Sequence, residues 1–139
     1  MSMLVVKDLI KEEKNGTISF GNYSLAEKSK KSDFEHKGDL YKVKSFNEIT
    51  RLEKNGAFVY ESVPGTAVFN LEADDGKTEF TVAGKGDAQI TLEFEAEKDY
   101  EVFVNDESLG VMKTNLGGKL TFSVELDPDT TKKIVIVNK

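Results

Sequence analysis

The chain has a single histidine, His36, in the run Asp33-Phe34-Glu35-His36-Lys37-Gly38-Asp39, which brings an imidazole and three carboxylates together in the sequence. An imidazole with two carboxylates is a donor set for a divalent cation. In an extended segment, however, neighbouring side chains point to opposite sides, so His36 and Glu35 diverge, and the spacing predicts a solvated loop histidine with no metal site. Cysteine is absent, which rules out disulfides, thiolate nucleophiles and thiolate-bound zinc or iron–sulfur clusters. A Ser-His pair could form only around His36. No cofactor is expected.

Glu93, Glu95 and Glu97 recur at steps of two, which on a strand would place them on one face about 7 Å apart. Two carboxylates at such separations can divide acid and base roles in glycosidic hydrolysis. Nothing beside them in sequence would raise one pKa above the other, so a solvated acidic face is the expectation and no catalytic residue is assigned. The acidic turns Asp74-Asp75-Gly76, Asn105-Asp106-Glu107 and Asp127-Pro128-Asp129 offer oxygen ligands for calcium, but none has the spacing of a complete calcium loop. Gly84-Lys85-Gly86 and Gly117-Gly118-Lys119 lack a following helix to hold a phosphate and read as hairpin turns. Of the aromatics, Tyr23, Tyr41 and Tyr60 are the candidates for a platform against a sugar ring and, with His36, make up the expected ligand surface. Phe69, Phe80, Phe94, Phe103 and Phe122 are expected in the core.

What would position these residues is mostly β-structure. Ile90, Leu92, Phe94 and Ala96 alternate with polar neighbours, as do Leu120, Phe122, Val124 and Leu126. Thr66 to Leu71, Thr78 to Ala83, Tyr100 to Val104, Leu109 to Lys113 and Lys133 to Val137 bring the total after residue 65 to about seven strands, each bounded by turn residues. The fold class read from this is an all-β, antiparallel β-sandwich, Ig-like or jelly-roll-like, with a short helix or two in the N-terminal half. Residues 66–139 would form a seven-stranded sandwich, and residues 1–65 a β-rich extension packed on it and broken from it at Val63-Pro64-Gly65.

Within the extension, Thr17 to Tyr23, Leu40 to Ser45 and Ala57 to Val63 read as strands. Ser45-Phe46-Asn47-Glu48 has the form of a capping box, with Ile49 and Leu52 at helical spacing and Asn55-Gly56 as a stop, so a short helix is expected over Phe46 to Lys54. The alternative is a hairpin turning at Asn55-Gly56, which would set Phe58 against Glu53 and Tyr60 against Arg51. Val6, Leu9 and Ile10 suggest a second helix, and its ending, Glu13-Lys14-Asn15-Gly16, repeats Glu53-Lys54-Asn55-Gly56.

Charge is divided unevenly. Residues 1–65 hold eleven basic side chains against ten acidic, and residues 66–139 hold eight against fifteen, within a net charge of −6. Lys28, Lys30 and Lys31 form the one basic cluster, beside Asp33 and Glu35. Acidity without a basic stripe disfavours nucleic acid and anionic membrane as partners. Lys7 and Asp8 come too early for a signal-peptide apolar region, so a cytoplasmic location is expected.

Two resemblances add to this. Asp99-Tyr100-Glu101-Val102-Phe103-Val104-Asn105-Asp106-Glu107-Ser108-Leu109-Gly110 and Gly118-Lys119-Leu120-Thr121-Phe122-Ser123-Val124 resemble the closing strands of accessory β-sandwich modules of polysaccharide-degrading enzymes, which implies a carbohydrate-binding module. Lys7-Asp8-Leu9-Ile10, Ile18-Ser19-Phe20-Gly21-Asn22-Tyr23, Gly38-Asp39-Leu40-Tyr41-Lys42-Val43-Lys44 and Tyr60-Glu61-Ser62-Val63-Pro64-Gly65-Thr66-Ala67-Val68 look like a family of small bacterial proteins, some of them called endosialidases. Sialidases clamp a sugar carboxylate with clustered arginines, and Arg51 stands alone, so no catalytic residue is carried over.

The functional expectation is a non-enzymatic protein acting through protein contacts or self-association, with the Tyr41 to Phe46 or Ala57 to Val63 strand at the contact. A carbohydrate-binding module is the first alternative and a glycoside hydrolase the second.

Overall fold

Alternating apolar and polar side chains suit a sheet with one wet face, and the computed structural model, which describes residues 4–74 and 76–139, contains strands and no helix among those residues. The first six strands are β1 Ile10–Glu12, β2 Ile18–Phe20, β3 Ser29–His36, β4 Asp39–Ser45, β5 Thr50–Lys54 and β6 Ala57–Val63. Seven more follow: β7 Ala67–Asp74, β8 Lys77–Ala83, β9 Ala88–Glu93, β10 Asp99–Val104, β11 Glu107–Lys113, β12 Lys119–Val124 and β13 Lys132–Asn138. One sheet has seven strands in the order β1-β2-β7-β8-β13-β10-β11, and the other has six in the order β12-β9-β6-β5-β4-β3. All ladders are antiparallel.

The inner faces of the two sheets meet in a sandwich-like core. Tyr60 of the six-stranded sheet stands edge-on to Phe20 and Phe80 of the other, with ring centroids 5.3 and 5.8 Å apart. Around it Val43, Leu52, Val68, Val82, Ile90, Val102 and Ile134 are all fully buried. Hydrogen-bonded ladders cross Val63-Pro64-Gly65 in both sheets, β2 pairing with β7 and β6 with β9, so residues on both sides of that break share one core.

Both expected helices are absent. The Ser45 hydroxyl, which would cap a helix, is buried and committed elsewhere: it accepts the Asn22 N–H at 2.8 Å and bonds the Thr50 hydroxyl at 2.8 Å. Phe46 to Ile49 form a turn closed by the Phe46 N–H on the Ile49 carbonyl. The chain then enters β5, and β5 and β6 make the hairpin, turning at Asn55 and Gly56, whose φ values of 51° and 82° suit a two-residue turn. Phe58 does face Glu53, but a bulge at Val59 shifts the register, so Tyr60 pairs with Leu52 and Arg51 with Glu61. One extra residue thus replaces the unfavourable Tyr60–Arg51 pairing with an apolar pair and a charge pair. Glu13-Lys14-Asn15-Gly16 is also a hairpin turn, between β1 and β2, with the Glu13 N–H on the Thr17 carbonyl and the Gly16 N–H on the Glu13 carbonyl. The repeated motif therefore marks two hairpins and no helix stop.

Candidate functional site

Burial separates the four residues singled out for a ligand surface. Tyr60 is fully buried and Tyr23 is 2% exposed, so neither ring is open to stack on a sugar. Tyr23 packs with Ala67 and Ala83, and burial raises its phenol pKa above the ordinary value. His36 closes β3 and is not a solvated loop residue: it is 7% exposed, with Nδ1 2.7 Å from Glu12 Oε1, and this contact ties the edge of one sheet to the edge of the other. Asp33 and Glu35 are exposed, and no three His, Asp or Glu side chains converge in ligating geometry among the described residues.

His36 and Tyr41 are brought together, ring centroids 6.0 Å apart, because β3 and β4 form one hairpin. They line a cleft of about 360 Å³ between the sheets, shared with Thr17, Asp39, Lys54 and Glu72. Asp39 accepts a hydrogen bond from the Asn55 amide at 2.8 Å and lies 3.3 Å from Lys54 Nζ; these partners, the amide first, lower its pKa. Burial raises the Tyr41 phenol pKa. The cleft therefore presents a fixed carboxylate, an ammonium, an imidazole edge and a neutral phenol to a polar guest.

The three glutamates do not form one face. β9 ends at Glu93, which pairs with Lys119 at 3.3 Å, while Glu95 and Glu97 lie in the turn that follows. Turn chemistry occupies Asp127 as well, which accepts the backbone N–H groups of Asp129 and Thr130 and the Thr130 hydroxyl. Asn105 accepts the Lys133 N–H. Asp75 of the third acidic turn lies outside the described residues. The six-stranded sheet does carry a basic row, since Lys30, Lys44 and Arg51 are neighbours in register, with Arg51 flanked by Glu53 at 3.3 Å and Glu61 at 3.5 Å.

The sheet edges differ more sharply than any cleft. β4 and β6, expected to mediate contact, are interior strands with hydrogen-bonded neighbours on both sides and have no edge to offer. Of the four edges among the described residues, β1 is only three residues long. β3 is broken by a bulge between Lys31 and Phe34, with Asp33 at φ 59°. β11 carries a bulge at Leu109–Gly110, with Gly110 at φ 104°. Short length, lysines and bulges are the ordinary means of keeping an edge from pairing with another chain.

β12 has none of these guards along its middle. It runs in unbroken register with β9 from Lys119↔Glu93 to Val124↔Ala88. The Gly118 carbonyl accepts the Phe94 N–H, so by strand alternation the even-numbered residues bond to β9 and the odd-numbered ones face outward. The backbone of Lys119 is covered, its carbonyl accepting the Asn115 N–H and its N–H donating to Asn115 Oδ1. Thr121 and Ser123 are left with outward N–H and C=O groups on a straight edge. These two residues did not stand out in the sequence; the available signal was a period-two run from Lys119 to Leu126 uninterrupted by glycine or proline. No protein-family model, curated protein or solved structure matches the chain.

Proposed function

We propose that this β-sandwich is a non-enzymatic binding protein whose contact is the free edge of β12, where another polypeptide adds as a strand. One observation carries the reading: among the described residues, β12 is the edge without a guard. Backbone groups left open on a straight strand supply affinity in such recognition, and side-chain pockets beside it supply specificity. Strand order supports a jelly-roll-like weave over an Ig-like one. The chain passes from β8 to β9 in the opposite sheet, returns as β10 and β11, crosses again as β12 and comes back as β13 between β8 and β10.

The test is selection from a phage-displayed library of random peptides, followed by amide exchange on the complex and by the variant Ser123→Pro. Proline at 123 removes an outward N–H that no intramolecular ladder uses, so the β9–β12 pairing is retained. The expected result is that selected peptides slow exchange at Thr121 and Ser123 and lose affinity for S123P. Failure to enrich binders, or binders indifferent to S123P, would overturn the proposal.

A second reading, a saccharide-binding module, is supported by the polar groups that line the His36–Tyr41 cleft and by the resemblance of residues 99–110 and 118–124 to accessory modules. A glycan panel should then move the resonances of His36 and Tyr41. A panel that leaves both unmoved ends this reading.

A further inference from the structure

The two sheets are unequal, seven strands against six, and the inequality has a location. At one end of the sandwich the edges β1 and β3 meet through Glu12 and His36. At the other end lie β11 and β12, so the longer sheet reaches one strand farther there and β11 overhangs the edge of β12. A cavity of about 430 Å³ occupies this place, lined by Val104, Glu107 and Leu109 from β10 and β11 and by Ser123, Val124 and Glu125 from β12 and the residue after it. Leu109 is 45% exposed, apolar surface that a seventh strand in the shorter sheet would cover. The weave of β8 to β13 places the gap in the same spot, because an eight-stranded jelly roll continues beyond the strand equivalent to β12.

Resting on the reading of β12 as a binding edge, we infer that this slot takes one extended segment of another protein, apolar at every second residue and carrying lysine or arginine between those positions. A strand in register with β12 lies about 4.8 Å from it, which puts it under β11. Its backbone meets the N–H and C=O groups of Thr121 and Ser123. Alternate side chains then turn inward onto Val104, Leu109 and Val124, and the others turn outward toward solvent. Charge selects the cationic segment. Among the charged residues that line the cavity, Glu107 and Glu125 outnumber Lys132, so the net charge to be met is negative. The rest of residues 66–139 is acidic as well, which adds long-range attraction.

The experiment uses the full chain and four labelled synthetic peptides in fluorescence anisotropy, with amide exchange read at Thr121 and Ser123. The first alternates valine with threonine and lysine; the second scrambles that composition to break the alternation; the third replaces lysine with glutamate; the fourth repeats the first with alternate backbone amides methylated. The first should bind and protect both amides, and each of the others should bind at least about tenfold more weakly, a difference of about 1.4 kcal/mol. If the scrambled or the glutamate peptide binds and protects as well as the first, the slot inference falls while the edge reading survives. If library-selected peptides protect Thr121 and Ser123 but the first peptide does not bind, the slot inference again falls alone. If no peptide of any kind protects these amides, both fall. If the protein alone protects them as its concentration rises, with a doubled mass in sedimentation, the occupant is a second copy and the inference is overturned.

Discussion

Replacing Thr66 with valine should destabilise the protein far more than its size suggests. The Thr66 hydroxyl oxygen lies 2.8 Å from the Tyr60 hydroxyl and 2.7 Å from the Ser62 hydroxyl. The Thr66 N–H donates to Thr50 Oγ1 at 3.1 Å, and the Thr50 hydroxyl donates back to the Thr66 carbonyl at 2.8 Å. Ser45 continues this polar chain to the Asn22 N–H, and Ser45, Thr50, Tyr60, Ser62 and Thr66 are all fully buried. Valine has threonine's shape but no oxygen, so it strands two buried hydroxyls at about 1–3 kcal/mol each. The added methyl returns about 0.8 kcal/mol, leaving a net loss of about 1–5 kcal/mol. Urea unfolding with an unchanged m-value is the assay. Thr66→Ser, which keeps the oxygen, should cost about 1 kcal/mol, the value of one methyl group. Adding Tyr60→Phe to T66V removes one stranded hydroxyl, so the double variant should be more stable than the two single losses sum to. If T66V is no less stable than T66S, the polar chain contributes nothing and the reasoning is wrong.

Two further outcomes follow from ionisation. Burial raises the phenol pKa of Tyr23, Tyr41 and Tyr60, so the unfolded chain ionises first, near pH 10; stability is complete below that value and falls as pH rises beyond it. Absorbance at 295 nm should show the ionisation of Tyr23, Tyr41 and Tyr60 delayed until β-sheet circular dichroism is lost, and ordinary titration of these three in the folded protein would contradict the burial described. On the acid side, the backbone N–H of Asp129, with the Thr130 hydroxyl and N–H, lowers the Asp127 pKa. Its stabilisation is present above the unfolded aspartate value of about 3.9 and is lost as pH falls through the lower folded value. Carboxyl NMR should find Asp127 titrating below that reference and Asp127→Asn flattening the acid limb of stability; titration of Asp127 at the reference value would remove the effect.

Most strands after residue 65 were legible because they bury one face and expose the other, so Ile90 and Leu92 or Leu120 and Phe122 announce themselves. β3 was not legible: Ser29 to Asp33 is an edge exposed on nearly all sides, and polar residues there carry no period. The capping box at Ser45 misled because local chemistry gave way to a partner, Asn22, that is distant in sequence. The Val59 bulge was invisible in the same way, since its effect lies in the register of the opposing strand. Of the candidate surface, the meeting of His36 with Tyr41 could be read from a hairpin, whereas the burial of Tyr23 and Tyr60 depends on which sheet covers them. β12 as a contact depends on what is missing beside it, and absence of a neighbour leaves no mark on a strand's own residues.

The position of β13 has a consequence for synthesis. It is thirteenth in the chain yet lies between β8 and β10 in the seven-stranded sheet. Until Lys132 to Asn138 have left the ribosome, β8 and the β10–β11 hairpin cannot be bridged, and two sets of backbone groups wait exposed. β12, by contrast, can complete the other sheet earlier. A nascent chain with its other strands already formed would carry a gap between β8 and β10, where a chaperone has most to protect and a neighbouring nascent chain has most to invade.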